Sequence, residues 1–418
     1  MRAMFQDTEK YWKKITLFIS GRVATTSGYG ILIVIVSWYV YSVSHSIIFI
    51  MLLGLVEMIP TFTTGLFSGY VADNYDNLKI MLLTDLVRFS IITSITIYLL
   101  FYGFSFVPVL IMVGSEGFLG ALFRPISMSY IPQITKEEHI QRVNGFLNFG
   151  GTLASTTSFF VGGVILISIG AIVGLIFDSL SYLYSVITLF LVYTFMHHSI
   201  KSKEQKSVKK GLTNPISGVK EGWNVLLKTP GIFWLSISTT GFQFFYSMAG
   251  MYIVVYISSF LGGSGLVYGM VLSIAGASSA IGSLLPAKVR IMGQSGIFII
   301  ISFIAIGISF FILGLSHLLY IDYALFFTAG IFFGISITIF SSVLQTNIEE
   351  TYIGRVFAVD ELMTYIGIPA GQIVGGLLIT IFGISGIYSL SGLGMLIIGS
   401  LMFLLPQVKA IKIPQMKK

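Results

Sequence analysis

The chain has 418 residues, of which 55% are hydrophobic and only 10% charged, and its mean hydropathy is +0.92. An ordinary soluble domain is about 25% charged, so this composition cannot clothe a water-facing surface, and it excludes a soluble enzyme or nucleic-acid-binding domain despite the net charge of +7. With no cysteine and five unclustered histidines, disulfides, thiolate nucleophiles and thiolate metal sites are excluded, and neither a metal nor a cofactor is expected.

The first residues, MRAMFQDTEKYWKK, are polar and lead directly into an apolar run, so they read as a tail before a first span and not as a cleavable signal. A helix crossing the hydrocarbon needs about 20 apolar residues. Runs of that length occur at 15–41, 46–71, 80–102, 106–130, 142–167 and 171–196, then at 231–260, 265–287, 296–315, 321–345, 355–381 and 385–406. Only glycine-containing turns separate the fifth run from the sixth and the eleventh from the twelfth. Continuous runs, as opposed to alternating ones, exclude the strands of a β-barrel. The expected fold is therefore an all-α integral membrane protein with twelve transmembrane helices.

The one long hydrophilic stretch falls between the sixth and seventh runs. It divides the chain into an N-terminal six-helix bundle, 1–196, a cytoplasmic linker, 197–230, and a C-terminal six-helix bundle, 231–418. The linker opens on the polar cap His197-His198 and holds Lys201, Lys203, Lys206, Lys209, Lys210, Lys220 and Lys228. From Pro215 to Leu227 its pattern is that of an amphipathic helix lying on the inner leaflet. With the N-terminus inside, Lys10, Lys13, Lys14, Lys79, Lys136, Arg142, Lys288, Arg290, Arg355 and the tail from Lys409 to Lys418 all fall on the inner side. The six outer loops receive no lysine or arginine, only His45, His317, Asp322 and little else. That asymmetry is the positive-inside pattern, and it predicts a multi-pass protein of the cell membrane with both termini cytoplasmic.

The halves repeat at an offset of 213 residues: Gly69 falls on Gly282, Arg142-Val143 on Arg355-Val356, and Val161-Gly162-Gly163 on Val374-Gly375-Gly376. Between spans two and three, Gly69-Tyr70-Val71-Ala72-Asp73, followed by Lys79, resembles the signature loop of the major facilitator transporters, with Asn74, Asp76 and Asn77 where arginine, glycine and arginine are usual. Phe123-Arg124-Pro125, Ile131-Pro132 and Arg142-Val143-Asn144 are similar to the macrolide-efflux and enterobactin-exporter branch. Gln345 with Gly354-Arg355-Val356 resembles its second-half counterpart. The sequence departs from drug–proton antiporters in carrying Ser158-Phe159 in place of a glycine-proline pair, and Ser115-Glu116-Gly117 where span four often has arginine. The resemblance implies two pseudo-symmetric six-helix bundles and alternating access. It also implies an inner gate, for which Gly69, Asp73, Lys79, Asp85, Arg88 and Arg355 are the candidates.

No Gly-x-x-x-x-Gly-Lys-Ser/Thr loop is present, so the chain is not expected to be an enzyme that hydrolyses ATP, and uphill transport would draw on an ion gradient. Ionisable residues inside a bilayer are costly and point to function. Arg22, Glu57, Glu116 and Asp178 lie within predicted spans, all in the first half, and are the candidates for proton coupling, with Arg22 either a partner to a carboxylate or an anion contact. The alternative for each is an ion pair or hydrogen bond between helices. Gly367, Gly371 and Gly375, with Pro369 among them, form one small-residue face suited to close helix contact. Tyr29, Gln243 and Tyr246 are candidate cavity residues. The expected function is proton-driven export of small amphipathic or drug-like compounds by a monomer. Its partners are the substrate, protons and the lipid bilayer, with no nucleic acid. The alternatives are an uptake transporter for a sugar, metabolite or organic anion, and a non-transporting membrane sensor or scaffold.

Overall fold

A computed structural model describes residues 2–135, 137–197, 215–288 and 295–411, and every regular element among them is an α-helix. In chain order these are α1 (Arg2–Ser44), α2 (Ile47–Asn74), α3 (Asn77–Tyr102), α4 (Phe106–Ile134), α5 (Glu137–Ser168), α6 (Ala171–His197) and α7 (Pro215–Lys228). After them come α8 (Pro230–Gly250), α9 (Ile253–Phe260), α10 (Gly265–Lys288), α11 (Ser295–Ser316), α12 (Leu319–Asn347), α13 (Glu350–Leu404) and α14 (Pro406–Lys409). The predicted apolar runs are helical almost throughout, the seventh, 231–260, being divided between α8 and α9 by a turn at Met251–Tyr252. Among the described residues, ten helices are long and apolar enough to cross a membrane, with α8 and α9 together forming one of them. α2 is not one of the ten: its described apolar part, Ile47–Pro60, is shorter.

α13 holds both of the last two predicted runs. As one straight helix its 55 residues would extend about 80 Å, against a hydrocarbon core of roughly 30 Å. The backbone breaks at Gly383, with φ 69° and ψ 172°, a region essentially reserved for glycine. Gly170, which separates α5 from α6, also has positive φ, 99°, and lies 213 residues before Gly383, the same offset as the sequence repeat. Elsewhere Asp76 caps α3 by accepting hydrogen bonds from the Leu78 and Lys79 backbone N–H groups. Many in-span serines and threonines, Thr64 and Thr84 among them, donate to the carbonyl one turn back, which satisfies their hydroxyls in a medium without water.

The chain divides into two compact units: Met1–His45, Leu55–Lys209 and Ser264–Met270 in one, and Ser46–Gly54, Lys210–Gly263 and Val271–Lys418 in the other. In the first, α1 packs on α5 and α6, and α3 packs on α4 and α6. In the second, α8 packs on α13, and α11 packs on α12 and α13. Gly367, Gly371 and Gly375 of α13 face the backbone carbonyls of Thr240, Phe244 and Met248 on α8, so both partners in that contact repeat every four residues. Equivalent apolar cores close one end of each unit, one around Ile131 and Val143, the other around Leu344 and Val356. Ile111, Phe118, Leu180, Ile187, Leu377 and Ile397 point outward and are exposed, as suits a surface solvated by lipid.

One expectation needs refinement and one correction. The amphipathic stretch of the linker is a helix, α7, and only part of its apolar surface is taken up by protein: Leu226 is fully buried against Val356 and Val359 of α13, while Trp223 and Leu227 stay exposed. Asp322, read from sequence as an outer-loop residue, belongs to the first turn of α12 and is completely buried.

Candidate functional site

The first unit carries a network of ionisable side chains in its apolar interior, contributed by five helices. Its centre is Arg88 of α3, only 5% exposed. Asp85, one turn earlier on the same helix, faces it as i,i+3 geometry dictates, with Arg88 Nη1 3.7 Å from Asp85 Oδ1. Glu116 of α4 approaches from the other side: Arg88 Nε is 3.8 Å from its Oε2, and Arg88 Nη2 donates to its backbone carbonyl at 3.3 Å. Gly120 makes room for the guanidinium, since a Cβ there would sit 2.7 Å from Arg88 Nη2. α6 supplies hydroxyl donors, Tyr182 to Glu116 Oε2 at 2.6 Å and Ser185 to Asp85 Oδ2 at 2.6 Å. Phe123 lies under both arginines, 4.1 Å from Arg22 Cζ and 5.9 Å from Arg88 Cζ.

Glu57 of α2 accepts a hydrogen bond from Tyr29 of α1. Its backbone is pressed against Gly117, where a Cβ would meet the Glu57 carbonyl. This close approach places Glu57 and Glu116 on neighbouring helices at the same level. Asp178 of α6 is completely buried, as Asp85 is, and differs from the other acids in that neither carboxylate oxygen has a hydrogen-bond partner among the described residues. It lies against Gly28 of α1, whose missing side chain gives it space. Arg22 is half-buried, stacks on Phe123 and pairs with no carboxylate among the described residues.

The structure thus gathers Arg22, Glu57, Glu116 and Asp178 in one unit, together with Asp85 and Arg88, which the signature-loop resemblance had grouped with the gate. Lys79 is exposed and lies 3.9 Å from Asp76. Arg355 pairs with Glu221 of α7 and lies over Tyr352. Gly69 and Asp73 are carried on α2, but their side chains fall outside the described ones. Tyr246 of α8 is stacked between Phe242 and Phe333, at 5.8 and 5.1 Å, with Gln243 half-buried beside it.

Sequence reasoning passed over one participant of this network, Tyr182, and the buried setting of two acids in the second unit, Asp360 and Asp322. Tyr182 looked like one more aromatic residue of an apolar run. Asp360 adds a buried in-span acid to the second half, its Oδ1 without a hydrogen-bond partner among the described residues; its position five residues beyond Arg355 in an apolar run was the available signal. Asp322 accepts from Ser316 at 2.5 Å and lies 2.9 Å from the Tyr256 hydroxyl.

Chemically, two guanidinium groups stand among four carboxyl groups. Full ionisation would leave net negative charge in a medium of low dielectric, where unpaired charge is expensive. The network can therefore take up protons or a cation, and its hydroxyl donors hold the carboxylates in defined orientations.

Comparison with known proteins gives a consistent result. The sequence model of the Major Facilitator Superfamily matches residues 17–371. The chain is 26% identical over 327 residues to YvqJ of Bacillus subtilis, an uncharacterised MFS-type transporter, covering 76% of this chain and 75% of that protein. It is 20% identical over 388 residues to the staphyloferrin A transporter of Staphylococcus aureus, covering 91% and 93%. Its fold is similar to that of the nucleoside transporter NupG, with a TM-score of 0.69 at 12% identity over 94% of this chain and 98% of that one.

Proposed function

The chain belongs to the Major Facilitator Superfamily, and from that premise we propose that it exports small amphipathic or drug-like compounds by proton antiport with alternating access. The superfamily is a transport family and not an enzymatic one, and the chain is a multi-pass membrane transporter of a small molecule. The finer architecture we propose is twelve spans, counting α2 and the two arms of α13 separately. They form bundles 1–196 and 231–418, joined by the linker 197–230, with both termini cytoplasmic. The matching glycine turns at Gly170 and Gly383 support this arrangement.

One observation carries the coupling mechanism: the acid excess buried in the first unit, with Asp178 lacking any hydrogen-bond donor among the described residues. In our reading Asp178 and Glu116 take up protons from one side and release them to the other. Arg88 keeps the network balanced as the bundle exchanges access. Glu57, held by Tyr29, contributes to the same exchange, and Lys79 and Arg355 act at the inner gate. The exporter branch rests on the loop similarities around Arg124-Pro125 and Gly354-Arg355.

The test is transport in liposomes under an imposed pH gradient. The panel comprises lipophilic cations, macrolide-like compounds and staphyloferrin A, for which a relative is named. Gradient-driven movement that is lost in Asp178→Asn or Glu116→Gln supports the reading. Folded protein that moves no compound in response to the gradient rejects it. A second reading, uptake of an organic anion, is favoured by Arg22, a half-buried guanidinium without a carboxylate partner among the described residues. Inward movement of anions that is abolished by Arg22→Gln would select it.

A further inference from the structure

We propose that the outward face of α7 is a binding surface for anionic phospholipid headgroups. α7 has two faces, and the inner one is fixed. Gly222 lies so close to α13 that a Cβ would run into the Arg355 carbonyl, and Leu226 is fully buried in the core formed with Val356 and Val359. Glu221 is paired with Arg355. The helix therefore cannot roll.

The other face consists of Lys220, Trp223, Asn224, Leu227 and Lys228, all exposed and spaced at i, i+3, i+4, i+7 and i+8. Trp223 is 39% exposed and Leu227 49%. Two large apolar side chains one turn apart, flanked at both ends by lysine, are poorly suited to bulk water. They are well suited to an interface, where tryptophan sits at headgroup depth and lysine stems lie along apolar surface with the ammonium reaching the phosphates. Glu221, exposed at the edge of this face, is neutralised by its pair with Arg355, so the face keeps the charge of its two lysines and complements anionic and not zwitterionic lipid.

Chain connectivity sets its height. Thr229 alone separates α7 from α8, which begins at Pro230 and enters a membrane span. The end of α7 therefore lies where a crossing begins. The occupant is thus the bilayer surface itself, and soluble proteins are disfavoured.

The absence of cysteine allows a direct test with the full chain. Asn224→Cys carries an environment-sensitive fluorophore, and the protein is reconstituted in nanodiscs of phosphatidylcholine alone or mixed with phosphatidylglycerol. The expected result is blue-shifted emission and several-fold weaker quenching by acrylamide in the anionic discs. That difference should be lost in Lys220→Glu/Lys228→Glu, and also in the milder Lys220→Gln/Lys228→Gln should the first variant fold poorly. Equal quenching in the two lipids, or a difference that survives both double variants, overturns the proposal. Water-like emission in both discs also overturns it and leaves the face to a soluble acidic partner.

Discussion

Arg88 serves two carboxylates from a site that is nearly sealed from solvent, so its removal should be severe. Arg88→Met leaves Asp85 and Glu116 without their cation and should cost about 3–5 kcal/mol, measured as lost thermal stability of the purified protein in detergent. The deficit should shrink as pH falls, because protonated carboxyls need no counter-ion; a pH-independent loss would argue for a packing effect instead. Asp178→Asn should behave in the opposite way, leaving stability nearly unchanged, since no hydrogen bond is broken, while removing the response of transport to a pH gradient. Much of this site was legible in the sequence, because an apolar run gives the depth of Glu57, Glu116, Asp178 and Arg22. What a run does not give is azimuth. Asp85 and Arg88 share a helix with Lys79, yet their side chains point into the bundle while Lys79 points out, and only the packing of α3 on α4 and α6 decides that. Tyr182 was hidden for the same reason.

Two glycines of α13 separate two kinds of constraint at the scale of the element. Gly371 is helical and pressed on α8, where a Cβ would meet the Phe244 carbonyl. Gly371→Val should force the helices apart at a cost of about 1–3 kcal/mol. Gly383 has open space around it but a backbone conformation that other residues avoid. Gly383→Ala should also cost about 1–3 kcal/mol, through the backbone alone, and larger side chains there should cost little more. Comparing unfolding of Ala and Leu variants at both sites checks this: the two should diverge at Gly371 and coincide at Gly383. The glycine face at 367, 371 and 375 could be read from spacing, and its partner could not, because nothing in the sequence of α8 marks Thr240, Phe244 and Met248 as the surface it meets. α7 was recognisable as amphipathic for the same local reason. That Leu226 packs on α13 while Trp223 and Leu227 stay exposed follows from tertiary contact, which a hydropathy pattern does not encode.

For the whole molecule, a chain without cysteine makes topology directly measurable. Single cysteines at Ser207 in the linker and Gln415 in the tail should react with impermeant reagents only from the cytoplasmic side, and one at Ser46 only from outside. Reaction of Ser207→Cys and Ser46→Cys from the same side would break the proposed arrangement. The basic residues allow this orientation to be written down from sequence, because charge asymmetry survives any ambiguity in helix ends. The repeat is firmer in three dimensions than in residue identities: Gly170 and Gly383 are 213 residues apart and share a positive φ, although the residues around them differ. A turn this short has a consequence for how the protein is made. The two arms of α13 are joined at Gly383 without a loop, which couples the placement of the first arm to that of the second. In the proposed twelve-span arrangement the pair is expected to enter as a helical hairpin in one insertion event, so a substitution at Gly383 should lower the yield of inserted protein before it alters the finished transporter.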